Sequence, residues 1–308
     1  MSLSHVPLQE TVEDAVCFSG RGVHGGAPCR VFVRPAPVDH GIVFRRIDLP
    51  GEPRIPARVE HVVSTTLATT LGVGEATVGT VEHLLSALLG LGIDNALIDV
   101  EGPELPILDG SAGPFTHELR GRGTAMLQAE KHVWIPIKPV RIEDGNRWIE
   151  IEPADELIID YTLQYDHPVI GTQRVVYRHS PVNYERELSH ARTFGLAAEV
   201  EMMRQQGLAI GGALDCAVVV GDDRVLNPEG LRYPDEFARH KILDIIGDLA
   251  MIGGPILGRI TASRSGHSLN QRFVEALLDG GLVECSPLSE VRNVIDAQPT
   301  QRVEVLSA

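Results

Sequence analysis

The chain has 308 residues, 43% hydrophobic and 22% charged, which supplies a large apolar core and excludes a largely disordered protein. Its 42 acidic residues outnumber 27 basic ones, a net charge of −15, which argues against a binder that neutralises nucleic-acid phosphates but leaves room for a local basic pocket. Cys17, Cys29, Cys216 and Cys285 are scattered without a C-x-x-C pair and fit neither a disulfide framework nor a thiolate zinc site, so a reducing cytoplasm is the expected setting.

Residues 1–10 lack the basic and then apolar pattern of an export signal, and the longest apolar stretch, around residues 84–93, is too short to span a bilayer. A soluble, unexported protein is expected. The length favours two domains. Up to about Pro56, short β-like runs such as Cys29-Arg-Val-Phe-Val-Arg34 alternate with Gly and Pro punctuation, which reads as a meander of strands. His24 lies between glycines, where the backbone can approach a ligand closely, although a lone loop histidine is also read as merely solvated.

Gly79-Thr-Val-Glu82-His83-Leu-Leu-Ser-Ala-Leu-Leu-Gly90 predicts a helix with Thr80 as N-cap and Gly90 or Gly92 as its stop. Its body is apolar almost all round and belongs between layers. Glu82 and His83 in its first turn read equally as dipole partner and core histidine or as functional groups. A strand over residues 95–100 leads into a turn-rich loop, residues 102–115, read as either a structural connection or a contributor to a site. Residues 120–131 carry few element signals and are expected to hold the domain boundary, placed at 126/127.

Beyond it the pattern restarts, with strands at 133–137, 147–152 and 157–165. A helical stretch to about Gln206 and a strand over 214–220 suggest a small crossover unit, residues 194–220. The helix at 236–250 places His240, Lys241, Asp244 and Asp248 within an arc of about 100°, with isoleucines and leucines over most of the remainder. Ionisable groups on so apolar a helix are costly to bury unless compensated, and a divalent metal compensates them; the same spacing also fits an amphipathic helix with a solvated face. Ser263-Arg-Ser-Gly-His267 then leads to a last helix at 271–278.

Several separated motifs now coincide: Thr80-Val-Glu-His83, Gly92-Ile-Asp-Asn95, Pro106-Ile-Leu-Asp-Gly-Ser-Ala-Gly-Pro-Phe115, Asp166-His-Pro168, Ala191-Arg-Thr-Phe-Gly195, His240-Lys-Ile-Leu-Asp244 with Asp248, and Ser265-Gly-His-Ser-Leu-Asn270. In this order and over nearly the whole chain they resemble the UDP-3-O-acyl-N-acetylglucosamine deacetylases, zinc amidases of lipid A synthesis in Gram-negative bacteria. The resemblance implies an α+β fold of two similar domains, 1–126 and 127–308, each a sheet with a helical layer, packed helix to helix with the site between them. It implies His83, His240 and Asp244 as zinc ligands with water completing the site, the open three-ligand pattern of catalytic zinc. Two His and one Asp also accept iron(II). It further implies Glu82 as the general base, His267 as the cationic partner kept charged by Asp248, and Thr193 at the oxyanion, with Lys241 meeting substrate oxygens.

Tyr165 and Phe194 match the positions beside uracil and sugar, and Arg147 and His24 those near the diphosphate. An acylated UDP-amino-sugar is the implied partner, with an apolar passage from the crossover unit; Leu196, Ala197, Ala198, Met202 and Met203 read equally as its lining or as ordinary core. No nucleic acid, no membrane anchor and a monomer are expected, in the cytoplasm and near the inner membrane when the acylated substrate is met. The chain departs from the family at Ser64–Thr70, where alanine and threonine replace a cysteine of some members and imply weaker inhibition by excess metal. It departs again at Leu196-Ala-Ala-Glu199, which leaves tunnel width and acyl length open. A different zinc hydrolase and a non-catalytic sugar-nucleotide binder remain the competing readings, and the tail 299–308 reads as a handle for proteolysis.

Overall fold

The computed structural model describes residues 6–296 and 303–307. Residues 1–5 and half of the 299–308 tail, the expected proteolytic handle, lie outside them. Strands 16–21, 28–34, 96–101, 42–46 and 54–56 lie side by side in that order, antiparallel except for 96–101 beside 42–46. Strands 140–144, 147–152, 258–263, 157–164 and 172–178 repeat this order and these directions, with Glu304–Ser307 added beside 140–144. Both sheets alternate buried apolar and outward polar residues, the period-2 pattern that covers one face. In each half a helix immediately precedes the inner parallel strand: Glu82–Leu91 before Ala96–Glu101, and Glu236–Leu249 before Gly258–Ser263. The fold is therefore α+β and built from two similar units.

These two helices pack against each other, and they are nearly all buried because each meets a sheet on one side and the other helix on the second. Gly247 sits at their closest approach. A Cβ there would lie 2.1 Å from the carbonyl oxygen of Glu82, and a backbone cannot yield as a side-chain tip can. The glycine costs helix propensity but lets the Glu82 turn reach the Asp244–Asp248 turns. Gly247→Ala is expected to destabilise the fold by about 1–3 kcal/mol by overpacking, despite its better helix propensity, and to lower activity by displacing Glu82; thermal unfolding and turnover measured together check this.

Several local expectations need correction. Thr80 does not cap the first helix: its φ is +56° and its hydroxyl donates to Glu104, and Val81 occupies the cap position. Gly92, with φ +81°, is the stop, the left-handed residue that ends a helix most cheaply as glycine. The loop after residue 102 ends in a helix, Gly113–Arg122. Residues 124–130, expected to be poor in structure, form a strand paired with Leu8–Val12, because the partner that orders them is over a hundred positions away. The strand expected at 214–220 is only Val218–Val220, and the last expected helix starts earlier, at His267, and runs to Asp279. No helix among the described residues is long and apolar enough to cross a membrane.

Candidate active site

His83, one residue into its helix, meets His240 and Asp244, one turn apart on the facing helix; one ligand atom from each lies within 4.8 Å of the others. His240 Nδ1 lies 3.0 Å from the Ala191 carbonyl, an acceptor, so this nitrogen carries the hydrogen and Nε2 keeps its lone pair. That lone pair faces Asp244 Oδ1 at 3.3 Å, and His83 Nε2 lies 3.8 Å from the same oxygen. Burial pushes the imidazole of His83 down to about 3 and also lowers that of His240, so both rings are neutral at pH 7. Asp244 Oδ1 is buried without a hydrogen-bond partner. The His240 lone pair facing a buried carboxylate oxygen is stabilised by a cation between them, and two imidazoles and a carboxylate are the donor set of a divalent metal such as zinc. The residues present fit the group.

Asp244 Oδ2 accepts from Lys241 Nζ at 2.7 Å. Despite the burial that opposes it, His240 and Lys241 beside it hold Asp244 well below the usual carboxylate range. Burial likewise opposes charge on Lys241, and Asp244 overrides it and raises the ammonium. Glu82, the residue before His83, is buried among apolar and acidic neighbours. Burial pushes its carboxyl up to about 7, against the pull of His267.

His267 stands at the start of its helix, and its Nε2 lies 3.8 Å from Glu82 Oε1. Its Nδ1 is 2.9 Å from Asp248 Oδ2, whose other bond on that oxygen comes from Asn270 Nδ2 at 2.8 Å. Burial opposes a charged ring here, yet Asp248, helped by Glu82 and Asp244, raises His267 to about 10. A carboxyl near neutrality and an imidazolium, 3.8 Å apart, form an acid–base pair of opposite habit.

These groups open into a cavity of about 520 Å³. His24, Glu82, His83, Tyr165, Thr193, Phe194, His240, Lys241, Asp244 and His267 all line it, and Asp248 stands behind His267. Thr193 is fixed through its backbone, donating to Gly110 O at 2.7 Å and accepting from Val218 N at 2.8 Å. The turn-rich loop thus serves the site by holding Thr193. Ala191 and Thr193 flank Arg192, whose buried guanidinium bonds Glu236 at the start of the helix that carries His240 and Asp244. Phe194 packs edge-on to Phe237 and Tyr165, with Lys241 Nζ 5.7 Å from its centroid.

Arg147 is not in the main cavity. It pairs with Asp144 and lines an adjoining cleft of about 310 Å³ with Tyr165, Lys241 and Arg264. Arg264 escaped sequence reasoning although it stands three residues before His267, just ahead of the Ser265–Asn270 motif. Its φ of +57°, in the left-handed region, turns the chain between its strand and the His267 helix. Thr69 escaped as well. Strained backbone gathers here: Leu67, Thr80 and Ala209, all with positive φ, line the cavity. Ala68, at the departure from the cysteine-bearing pattern, is part of its wall.

The other end of the cavity is apolar, but its lining differs from expectation. Ala197 and Met203 contribute, whereas Met202 points outward and is 55% exposed, and Leu196 and Ala198 are not in the wall. Val200, Leu214, Ala217, Val219 and Leu226 take their place, since the short helix Ala197–Gln205 presents only one face inward and the rest comes from the returning chain.

A family model described as UDP-3-O-acyl N-acetylglycosamine deacetylase matches residues 9–279. The chain is 47% identical over 270 residues to the UDP-3-O-acyl-N-acetylglucosamine deacetylase of Anaeromyxobacter sp. (strain Fw109-5), covering 88% of each protein. It is 47% identical over 272 residues to that of Acidithiobacillus ferrooxidans and 44% identical over 272 to that of Stenotrophomonas maltophilia, covering 88% of this chain and 90% of each relative. A match across most of both lengths, on a chain whose two units converge on one buried metal-type cluster, leaves one assignment: the chain belongs to the UDP-3-O-acyl N-acetylglycosamine deacetylase family.

Proposed function

We propose that this chain hydrolyses the N-acetyl group of UDP-3-O-(3-hydroxyacyl)-N-acetylglucosamine to acetate and the free amine, the committed step of lipid A synthesis, with zinc as its metal. The observation that carries the reading is one cavity that joins His83, His240 and Asp244 to Glu82 and His267, with a basic, aromatic cleft beside it and an apolar passage leading away. His83, His240 and Asp244 would hold the metal, which when bound supplies Lewis acidity toward the acetamide oxygen.

Glu82 takes a proton from the attacking water, a role suited to a carboxyl raised toward neutrality. His267 begins the cycle protonated, stabilises the developing charge, and gives its proton to the departing nitrogen. Asp248 holds that ring charged and oriented. Thr193, anchored at Gly110, stabilises the oxyanion. Tyr165 and Phe194 receive the uracil and sugar, Lys241, Arg147 and His24 the diphosphate side, and Arg264 joins them in the same cleft. The passage between the Ala197 helix and Val218–Val220 receives the acyl chain. The enzyme would act as a monomer in the cytoplasm.

Acetate release by zinc-loaded protein from a series of UDP-sugars with and without the 3-hydroxyacyl chain tests the reading. Turnover is expected to require the chain, with kcat/KM falling at least about 100-fold on its removal, as each buried methylene contributes roughly 0.8 kcal/mol. Comparable turnover without it would indicate another amide hydrolase. Metal-replete protein inactive on every substrate that nevertheless binds them would indicate a binding protein.

A further inference from the structure

Thr69 is wholly buried and makes three directed contacts at the junction of the two units. Its carbonyl accepts from Val81 N at 3.3 Å, at the mouth of the first helix. Its amide donates to Glu82 Oε2 at 3.1 Å, and its hydroxyl lies 2.8 Å from Asp248 Oδ1, 179 positions away. The hydroxyl is the donor in this bond, and its single hydrogen is committed to Asp248. The ring Nδ1 of His267 lies 3.5 Å from the same hydroxyl.

Asp248 is therefore held at both oxygens. Oδ2 takes His267 and Asn270, and Oδ1 takes Thr69. With the Oδ1 bond gone, that buried oxygen loses its partner and the carboxylate is free to turn toward another donor, which swings Oδ2 away from His267. One threonine thus sets both the base, through its backbone, and the acid, through its hydroxyl. β-Branching restricts its side-chain torsion, which suits it to the task.

Building on the deacetylase reading, we propose that Thr69 is a positioning residue that couples Glu82 to the Asp248–His267 pair and keeps the general acid aligned. Thr69→Val keeps the shape and the amide bond to Glu82 but removes the hydroxyl; Thr69→Ser restores the hydroxyl. Thr69→Val is expected to lower kcat about 10- to 100-fold, with KM and metal content within about twofold of wild type and Thr69→Ser close to wild type.

A second readout needs no turnover. The downfield proton NMR signal of His267 Nδ1–H, hydrogen-bonded to Asp248, should shift or vanish in Thr69→Val and return in Thr69→Ser. A wild-type kcat or an unchanged signal in Thr69→Val overturns the proposal, and so does a serine variant as impaired as the valine one. Should wild type fail to turn over, the deacetylase reading falls, and the NMR signal alone decides the role of Thr69.

Discussion

Glu82→Gln is expected to lower kcat by about 10²- to 10⁴-fold while leaving metal content and substrate KM nearly unchanged. Glutamine preserves shape and can still accept from the Thr69 amide, but it cannot take a proton from water. Acetate release, elemental analysis of bound metal and a substrate-binding titration separate lost chemistry from lost binding. The pH profile gives a second check. Activity through a base appears as pH rises through its pKa, and activity through an acid disappears as pH rises through its own.

With Glu82 raised to about 7 and His267 to about 10, kcat/KM should rise on the acid side, hold a plateau and fall on the alkaline side. A bound cation near Glu82 favours its anion and moves the rising limb below 7. The rising limb should flatten in Glu82→Gln and the falling limb in His267→Ala. A profile whose falling limb survives His267→Ala would remove His267 from the acid role.

His240→Ala is expected to abolish tight metal binding and to lower turnover by about 10³-fold or more, since a Lewis acid contributes several kcal/mol to such a barrier. Loss of one of the three candidate donors found among the described residues would leave too few to hold the ion. Folding should respond with it. Metal that binds only the native state at a thousandfold excess over its Kd adds about 4 kcal/mol to stability. Zinc should therefore raise the unfolding midpoint of the wild type and leave that of His240→Ala in place. Chelated wild type should match the variant in both measurements; full activity after verified metal removal would sink the assignment of His83, His240 and Asp244.

Some of this was legible in the amino-acid sequence and some was not, for reasons that follow interaction range. The 236–249 helix declares its own polar stripe, because His240, Asp244 and Asp248 recur at the helical period and need no other part of the chain to be recognised. The order of the quoted motifs, through the resemblance they carry, implies the α+β class and brings Glu82, His83, Thr193 and His267 into the same reading. What local pattern could not carry is who meets whom.

Thr69 reaches Asp248 across 179 positions, and Arg264 earns its place only where its strand opens beside Tyr165 and Lys241. Residues 124–130 become a strand only because Leu8–Val12 lies alongside. Leu196, Ala198 and Met202, weighed as lining of the apolar end of the cavity or as core, are not in its wall, because helical spacing tells which residues share a face, and not which face the rest of the chain will cover. Gly247 shows the same limit. On its own it is a poor helix residue, and only the carbonyl of Glu82, 2.1 Å from where its Cβ would be, explains it. Sequence thus determined the local elements and the chemistry they carry, since these depend on neighbours within a few residues. Tertiary structure decided the pairings, the strain and the shape of the cavity, which arise only when distant segments are brought together.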